Sequence, residues 1–559
     1  MNQRHFPFWP PTRPKEIPIP VTSVAQNLET TATRFPEQTA IIYYDSRIAY
    51  RRLWDEVEAL AGYLQQVAGV KQGDRVLLYM QNSPQFVISY YAILRANAVV
   101  VPLNPMTVAE ELGSYIDDSD AKVAITAQEL ADRLRSYRPG PLDCVIVAAY
   151  ADYVAGETDL PLPAAVAAPR LPVAAPFVAW KDALTSGAVP GPITTGNEDM
   201  ALLPYTSGTT GIPKGCVHTH RSMQTTIWST PIWRSGVYPG GRVLSALPYF
   251  HVTGMTGDMN GSILCGNTIV MLTRWDAMTA LRLIERYQCT SLTAISTMVV
   301  DLLSQPGYRP EMLHSLMGLG GGGAPLPAAV GEEVTGRLGL TYIEGYGMTE
   351  TIAMTHANPG DRTKLQCLGV PVFGVDSRII NPETLRELGP GETGEIITHG
   401  SQVMREYWKR PEETAEAFIE IDGKRFLRTG DLGYMDDEGY FFLVDRLKRM
   451  INASGFKVWP AEIETKLYSH PAIREACVIA SADPRRGEQV KALVVLREGV
   501  TVSENEIIAW SRGKMSAYKV PSIVEFVDAL PRSATGKVNW RALQREEQAR
   551  EPQAAAAAV

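Results

Sequence analysis

The segment Tyr205-Thr206-Ser207-Gly208-Thr209-Thr210-Gly211-Ile212-Pro213-Lys214-Gly215 gathers the groups needed to hold a polyphosphate. Glycines such as Gly208 carry no Cβ and let the backbone wrap closely around a ligand. The hydroxyls of Thr206, Ser207, Thr209 and Thr210 and the N–H groups between them donate to anionic oxygens, and Lys214 adds a full positive charge. The spacing is not that of the common phosphate loop G-x-x-x-x-G-K-[ST], because Gly215 follows Lys214. Composition alone would equally fit a flexible Gly/Ser/Thr surface loop.

A second run, Gly345-Tyr346-Gly347-Met348-Thr349-Glu350, sets a flat aromatic between two glycines, which suits stacking on a purine. Thr349 is able to donate to a phosphate, and Glu350 offers the carboxylate oxygens that Mg²⁺ prefers. Taken singly, an aromatic beside a Thr-Glu pair also reads as a helix cap. Gly320-Gly321-Gly322-Gly323-Ala324-Pro325 marks the close approach of a ligand or of another backbone, or else a tight loop. His218 and His220 lie two apart with no Cys/His cluster near, so they read as structural rather than as metal ligands.

The first run resembles the signature of the AMP-forming adenylating superfamily: acyl-CoA synthetases, stand-alone adenylation domains and beetle luciferases. The resemblance covers almost the whole chain, since further family motifs follow in order down to Lys537. It implies that a carboxylic acid reacts with ATP to give an acyl-adenylate and pyrophosphate, and that a thiol then takes the acyl group. ATP, Mg²⁺ and coenzyme A are the implied cofactor and co-substrates.

The resemblance also distributes roles. Thr206, Ser207, Gly208, Thr209, Thr210 and Lys214 would hold the β- and γ-phosphates. Gly345, Tyr346 and Gly347 would meet the purine, Thr349 the α-phosphate and Glu350 the Mg²⁺. Gly323, Ala324 and Pro325 would border the adenine, while Gly320 to Gly322 leave the acyl pocket open, so a leucine at Gly321 is expected to shorten the accepted chain. Pro248-Tyr249-Phe250-His251 resembles the aromatic gate, with His251 near the substrate carboxylate, although such a histidine is often a packed core residue. Amino-acid-activating relatives carry an aspartate here to pair the α-ammonium. This chain has none in the stretch, which argues against amino acids because an unpaired buried ammonium costs several kcal/mol, on the order of any buried charge. Arg428-Thr429-Gly430-Asp431 resembles the ribose motif, with Asp431 accepting from both hydroxyls and Arg446 reaching ribose and phosphate. Gly455 would let pantetheine pass, although many relatives carry a lysine where this chain has Ser454. Lys537 would bridge carboxylate and ATP in the adenylating pose.

These groups need a scaffold, and the pattern supplies an α/β one. Pro84 to Asn97 reads as a helix capped by Ser83 with Pro84 at its first position. Strand-like runs occur at Ala98 to Leu103, Ala121 to Thr126 and Cys144 to Ala148, an alternation that predicts βαβ units and mostly parallel sheets. Ala151 to Ala175, rich in Ala and Pro, reads as a surface excursion. The fold expected is α/β: a large N-terminal domain of α/β sheets with a β-rich subdomain (1–445), a charged hinge (446–449), a smaller mobile α+β C-terminal domain (450–550) and a frayed tail (551–559). Within the small domain, helices are expected at Pro460 to Ser469 and from Glu504, with strands at Ala476 to Ala480 and Val490 to Leu496.

A net charge of −8 gives no basic footprint, so no nucleic acid partner is expected. No run reaches the ~18 apolar residues of a membrane span, and the proline-broken N-terminus lacks a secretory core. Six scattered cysteines without a C-x-x-C pair suggest reduced thiols and a cytoplasmic protein. The expected partners are small molecules, with a homodimer left open. The activity expected is an acyl-CoA synthetase acting on a medium- or long-chain fatty acid. The alternatives are an aryl-CoA ligase, a ligase loading a carrier protein, a luciferase-like oxygenase, and a non-catalytic relative.

Overall fold

The computed structural model describes residues 5–137, 140–206, 213–322, 326, 328–453, 456–483, 487–532 and 537–557. The chain divides into two compact units, one of residues 1–376 with 398–427, the other of residues 377–397 with 428–559. The strand Lys424–Met435 therefore runs out of the first unit and into the second.

Two sheets organise the first unit. In the larger, the strands Thr39–Tyr43, Thr268–Met271, Arg242–Ser245, Ser291–Thr293, Gly318–Gly322 and Tyr342–Met348 lie side by side and parallel. Antiparallel strands close its edges, Ser46–Ala49 at one end and Ala353–Ala357 with Val370–Pro371 at the other. The second sheet centres on Val99–Pro102, Arg75–Tyr79, Val123–Ala127 and Cys144–Ala148, all parallel, as the alternating pattern implies. The central strands of this second sheet are near-continuous apolar runs, the mark of strands buried on two faces.

The helix Pro84–Arg95 starts as its sequence dictates: Ser83 Oγ accepts from Phe86 N–H and proline fills the first position. It stops at Arg95, two residues before the expected end, because Asn97 takes a left-handed φ of 63°. Pro84 to Leu94 are all buried, so this helix is core all round. The excursion between 151 and 175 is not structureless. It includes the short helix Ala164–Ala167 and tucks Leu160 and Val166 into the core.

In the second unit, Ile473–Asp483 and Gly487–Leu496 form a long antiparallel pair, and Ile523–Phe526 joins parallel to the latter. The helix Glu504–Arg512 opens with a capping box between Ser503 and Glu506. The helix Trp540–Ala557 runs through most of the segment expected to fray, where alanines carry the best helix propensity.

Candidate active site

Three of the sequence motifs sit at one end of the larger sheet. The loop with His251 follows the carboxyl end of Arg242–Ser245, the glycine-rich loop follows Gly318–Gly322, and Thr349-Glu350 ends Tyr342–Met348. Ligands of open α/β sheets bind outside the carboxyl ends of parallel strands.

The phosphate run is anchored at its base. Thr206 pairs with Lys214 and Tyr205 with Gly215 in a short antiparallel ladder. Tyr205 Oη donates to Asp118 (2.8 Å), and Gly215 O accepts from Trp408 N–H (2.8 Å). Ser207, Gly208, Thr209 and Thr210 lie outside the described residues, as do Gly323, Ala324, Pro325 and Gly455. Lys214 Nζ lies 5.2 Å from the Tyr407 ring centroid and 3.8 Å from Glu413. Glu350, buried, accepts from Tyr407 Oη (2.8 Å) through Oε1, and its carbonyl accepts from Met404 N–H (2.7 Å). The structure thus brings Lys214 and Glu350 to the two faces of one tyrosine's chemistry, its ring and its hydroxyl.

Thr349 is half-buried in a single 3₁₀ turn, Thr349–Thr351. Its carbonyl lies 2.7 Å from His218 Nε2, which must be the donor there because a carbonyl only accepts. Burial lowers the His218 pKa to about 4, so it stays neutral at physiological pH, and His220, pushed to about 4 by the same cause, accepts from Val24 N–H. Both histidines are structural. Tyr346 and Gly345 are half-buried on the strand. A Cβ at Gly347 would fall 1.4 Å from Ala353 O, so only glycine fits beside Tyr346 there.

The glycines Gly320 to Gly322 do not behave as expected. A Cβ at Gly320 would sit 2.6 Å from Ile343 O, at Gly321 2.0 Å from Ala294 O, and at Gly322 2.3 Å from Gly345 O. All three collide with neighbouring backbone rather than pointing into open space. They serve strand packing, and the expectation that a side chain at Gly321 would simply shorten the acyl pocket is corrected.

At the gate, Tyr249 is fully buried, tied to Ser245 Oγ (2.7 Å) and Asn82 (2.8 Å), while Phe250 and His251 are half-buried. His251 Nδ1 accepts from Thr253 N–H (3.4 Å). The sequence reading missed an acid nearby: Asp258 is fully buried in the π-helix Gly254–Asn260. It is already engaged, with Arg234 at 3.1 Å and Thr293 Oγ1 donating at 2.5 Å. Burial raises its pKa to about 6 against the pull of Arg234.

Glu344 was missed as well, though it directly precedes Gly345. Its buried carboxylate accepts from Leu326 N–H (2.7 Å) and Cys367 N–H (2.9 Å), which ties Leu326 to the chain around Cys367.

The second unit assembles its own group. Asp431, buried, pairs with Arg446 Nε at 2.8 Å, and the two residues are opposite each other across the ladder. Glu395 holds Arg428 (2.6 Å) and Gly430 N–H (3.1 Å), and Gly430 takes a φ of 69° to turn the chain into Asp431. Lys537 has an exposed side chain, yet its pKa is lowered, by desolvation first and Arg446 second, with Asp431 opposing. On the bridge, Asp445 accepts from Ala461 N–H (2.8 Å), and Arg449 pairs with Glu464.

A model of AMP-binding enzymes matches residues 28–408, and a model of their C-terminal domain matches residues 462–537. The chain belongs to the AMP-binding enzyme family. Among relatives of this AMP-binding enzyme, a long-chain-fatty-acid–CoA ligase of Bacillus subtilis (strain 168) is 34% identical over 96% of this chain and 97% of its own. A feruloyl-CoA synthase of Amycolatopsis sp is 35% identical, covering 90% and 94%. Among solved structures, ATP-bound MatB from Rhodopseudomonas palustris superposes with a TM-score of 0.84 at 28% identity, covering 94% of this chain and 99% of that one. The activity is that of an AMP-forming acyl-CoA synthetase using ATP, Mg²⁺ and CoA. Among the described residues no helix is long and apolar enough to cross a membrane, and no cluster of three or more His, Cys, Asp or Glu could hold a metal unaided. A single fixed carboxylate such as Glu350 fits Mg²⁺, which takes most of its ligands from phosphate oxygens and water.

Proposed function

We propose that this AMP-binding enzyme activates an apolar carboxylic acid, a medium- or long-chain fatty acid, and passes it to CoA. The observation that carries this reading is the likeness to a long-chain-fatty-acid–CoA ligase along nearly the full length of both chains. The engagement of Asp258 with Arg234 supports it, since that acid is already paired rather than offered to an α-ammonium. An aryl acid is the second reading, favoured by the comparable identity to a feruloyl-CoA synthase.

In adenylation an acid oxygen attacks the α-phosphorus in line while pyrophosphate leaves, so the protein must position both and neutralise growing charge. We assign the β- and γ-phosphates to Thr206, Ser207, Gly208, Thr209, Thr210 and Lys214, and the α-phosphate to Thr349. The purine lies against Tyr346, between Gly345 and Gly347, and along Gly323 to Pro325. His251 faces the acid, Asp431 and Arg446 hold the ribose, and Lys537 bridges acid and phosphate. The nearness of Arg446 and Asp431 to Lys537 supports that last group acting together. Mg²⁺, held by Glu350, would neutralise the phosphate charge that develops as pyrophosphate departs. The domain division at 446–449, with rotation there bringing Gly455 to pantetheine, belongs to the same proposal. So does a cytoplasmic location, supported by six cysteines with no disulfide. A homodimer stays an expectation for light scattering to check.

Acid-dependent pyrophosphate release with CoA present, across fatty, aryl and dicarboxylic acids, tests the substrate class, with the thioester identified by mass. Fatty acids should lead. A consistent preference for aryl acids would overturn the fatty-acid reading and leave the ligase activity standing.

A further inference from the structure

Tyr407 belongs to none of the motifs that the sequence singles out, yet it touches two of them. Its hydroxyl donates to Glu350 Oε1 at 2.8 Å, and its ring face carries the Lys214 ammonium at 5.2 Å from the centroid. The residue is held from three sides. It bridges antiparallel to Cys216, its N–H donates to Thr414 Oγ1 (3.0 Å), and Trp408 N–H donates to Gly215 O (2.8 Å) just beyond Lys214. Met404, three residues earlier, donates its N–H to Glu350 O at 2.7 Å. The segment Met404 to Trp408 is therefore laced to both the phosphate run and the Thr349-Glu350 turn by main chain as well as side chain.

We propose that Tyr407 is a positioning residue that sets the metal-holding carboxylate of Glu350 and the phosphate-holding ammonium of Lys214 relative to each other. This rests on the reading of Glu350 as the Mg²⁺ ligand and Lys214 as a phosphate ligand. The hydroxyl fixes where one carboxylate oxygen points, and the ring offers the ammonium a face that leaves its hydrogens directed outward. Glu413 lies 3.8 Å from Lys214, and a polyphosphate would compete with it for the lysine. Tyr407 also packs beside Met404 and Leu427, and if it served only to fill that space phenylalanine would replace it without consequence.

The test uses the full-length enzyme and four variants, Tyr407→Phe, Tyr407→Leu, Glu350→Gln and the double variant Tyr407→Phe/Glu350→Gln. Mn²⁺ affinity is read by electron paramagnetic resonance in the presence of α,β-methylene-ATP, and stability by thermal melting. Tyr407→Phe should melt with the parent yet weaken Mn²⁺ about tenfold, the lower end of what losing an outer partner of a metal ligand costs. It should leave metal-free nucleotide affinity unchanged. Tyr407→Leu should also weaken metal-free nucleotide binding, because Lys214 loses its ring. In the Glu350→Gln background, Tyr407→Phe should add nothing further to the Mn²⁺ loss. That lack of additivity reads out even if the single variant melts early. Parent-like Mn²⁺ affinity in Tyr407→Phe beside a weakened Glu350→Gln would overturn the proposal alone. Parent-like affinity in Glu350→Gln would overturn the Glu350 reading and the proposal with it.

Discussion

Placing a side chain at Gly321 should cost fold stability before it changes acyl preference. The strand Gly318–Gly322 runs between Ser291–Thr293 and Tyr342–Met348, and the Ala294 peptide crosses directly over Gly321. A Cβ there would lie 2.0 Å from Ala294 O and 2.6 Å from Tyr342 Oη. Ordinary contact begins near 3.4 Å, so Ala294 would have to retreat by more than an ångström. Ala294 O cannot retreat freely. It accepts from the buried Tyr342 hydroxyl at 2.7 Å, and Ala294 N–H donates to Gly320 O at 2.9 Å. Overpacking of this kind costs ~1–3 kcal/mol and occasionally more, and breaking the tyrosine bond in a buried site adds ~1–3 kcal/mol. Gly321→Ala should therefore lose roughly 2–6 kcal/mol, a large part of the 5–15 kcal/mol that holds a typical domain. At about 2–4 °C per kcal/mol for 150–250 residues, and less for a unit as large as this one, melting should fall by several degrees, up to roughly ten. Differential scanning fluorimetry measures the fall. Pyrophosphate release on short, medium and long fatty acids should drop together, with their ratio unchanged. A Gly321→Leu protein that melts with the parent and turns toward short acids would refute the packing argument.

Acidification from pH 7 to 5 should destabilise the protein. His218, His220 and His5, each held near 4, and His356, near 3, resist protons that the unfolded chain takes up below 6.5, so stability falls across that window by roughly 1–2 kcal/mol per histidine. Asp258, raised to about 6, works in the opposite sense and restores only about 1 kcal/mol on the same descent, so urea midpoints should still fall. A midpoint that rises toward pH 5 would show that these histidines protonate in place. Lys537→Ala should slow adenylation ~10²–10³-fold while supplied acyl-adenylate still reacts with CoA at near the parent rate, and equal impairment of both steps would remove the bridging role. Lys448→Pro, which fixes φ near −65° in the turn Leu447–Arg449, should spare adenylate formation and sharply reduce thioester formation in stopped-time assays of the two half-reactions. Equal loss in both would argue against rotation at the bridge.

Local chemistry made the fold legible where it was strong. Ser83-Pro84 announced a helix start, and the apolar run Cys144 to Ala148 gave a strand with matching ends. The glycines at 320 to 322 were visible as a close approach, but the sequence offered no way to tell a ligand from a neighbouring strand, and the collision partners are main-chain oxygens of Ala294, Ile343 and Gly345. Tyr407 and Glu344 stayed hidden because their roles come from residues about 57 and 20 positions away, brought close by sheet pairing, and neither sits in a run of unusual composition. Asp258 was hidden for a further reason: its significance lies in Arg234 and Thr293, which reach it from other elements. The helical tail shows propensity prevailing where the terminal position suggested fraying.

The carboxylate of Asp445 has a practical reach beyond the bridge it precedes. It accepts the N–H of Ala461 at the start of the helix Pro460–Leu467, and it also faces Arg449, whose guanidinium is shared with Glu464. A recombination seam cut at Arg446 would separate Asp445 from these partners, and joined to a relative without an acid there it would leave a half-buried cation and a helix N–H short of an anion. Exchange of C-terminal segments between relatives is better joined upstream of Asp445, so that the acid travels with the arginine and helix it serves. Because residues 377–397 fold with that same C-terminal unit, a faithful transplant of the unit carries two stretches of chain rather than one.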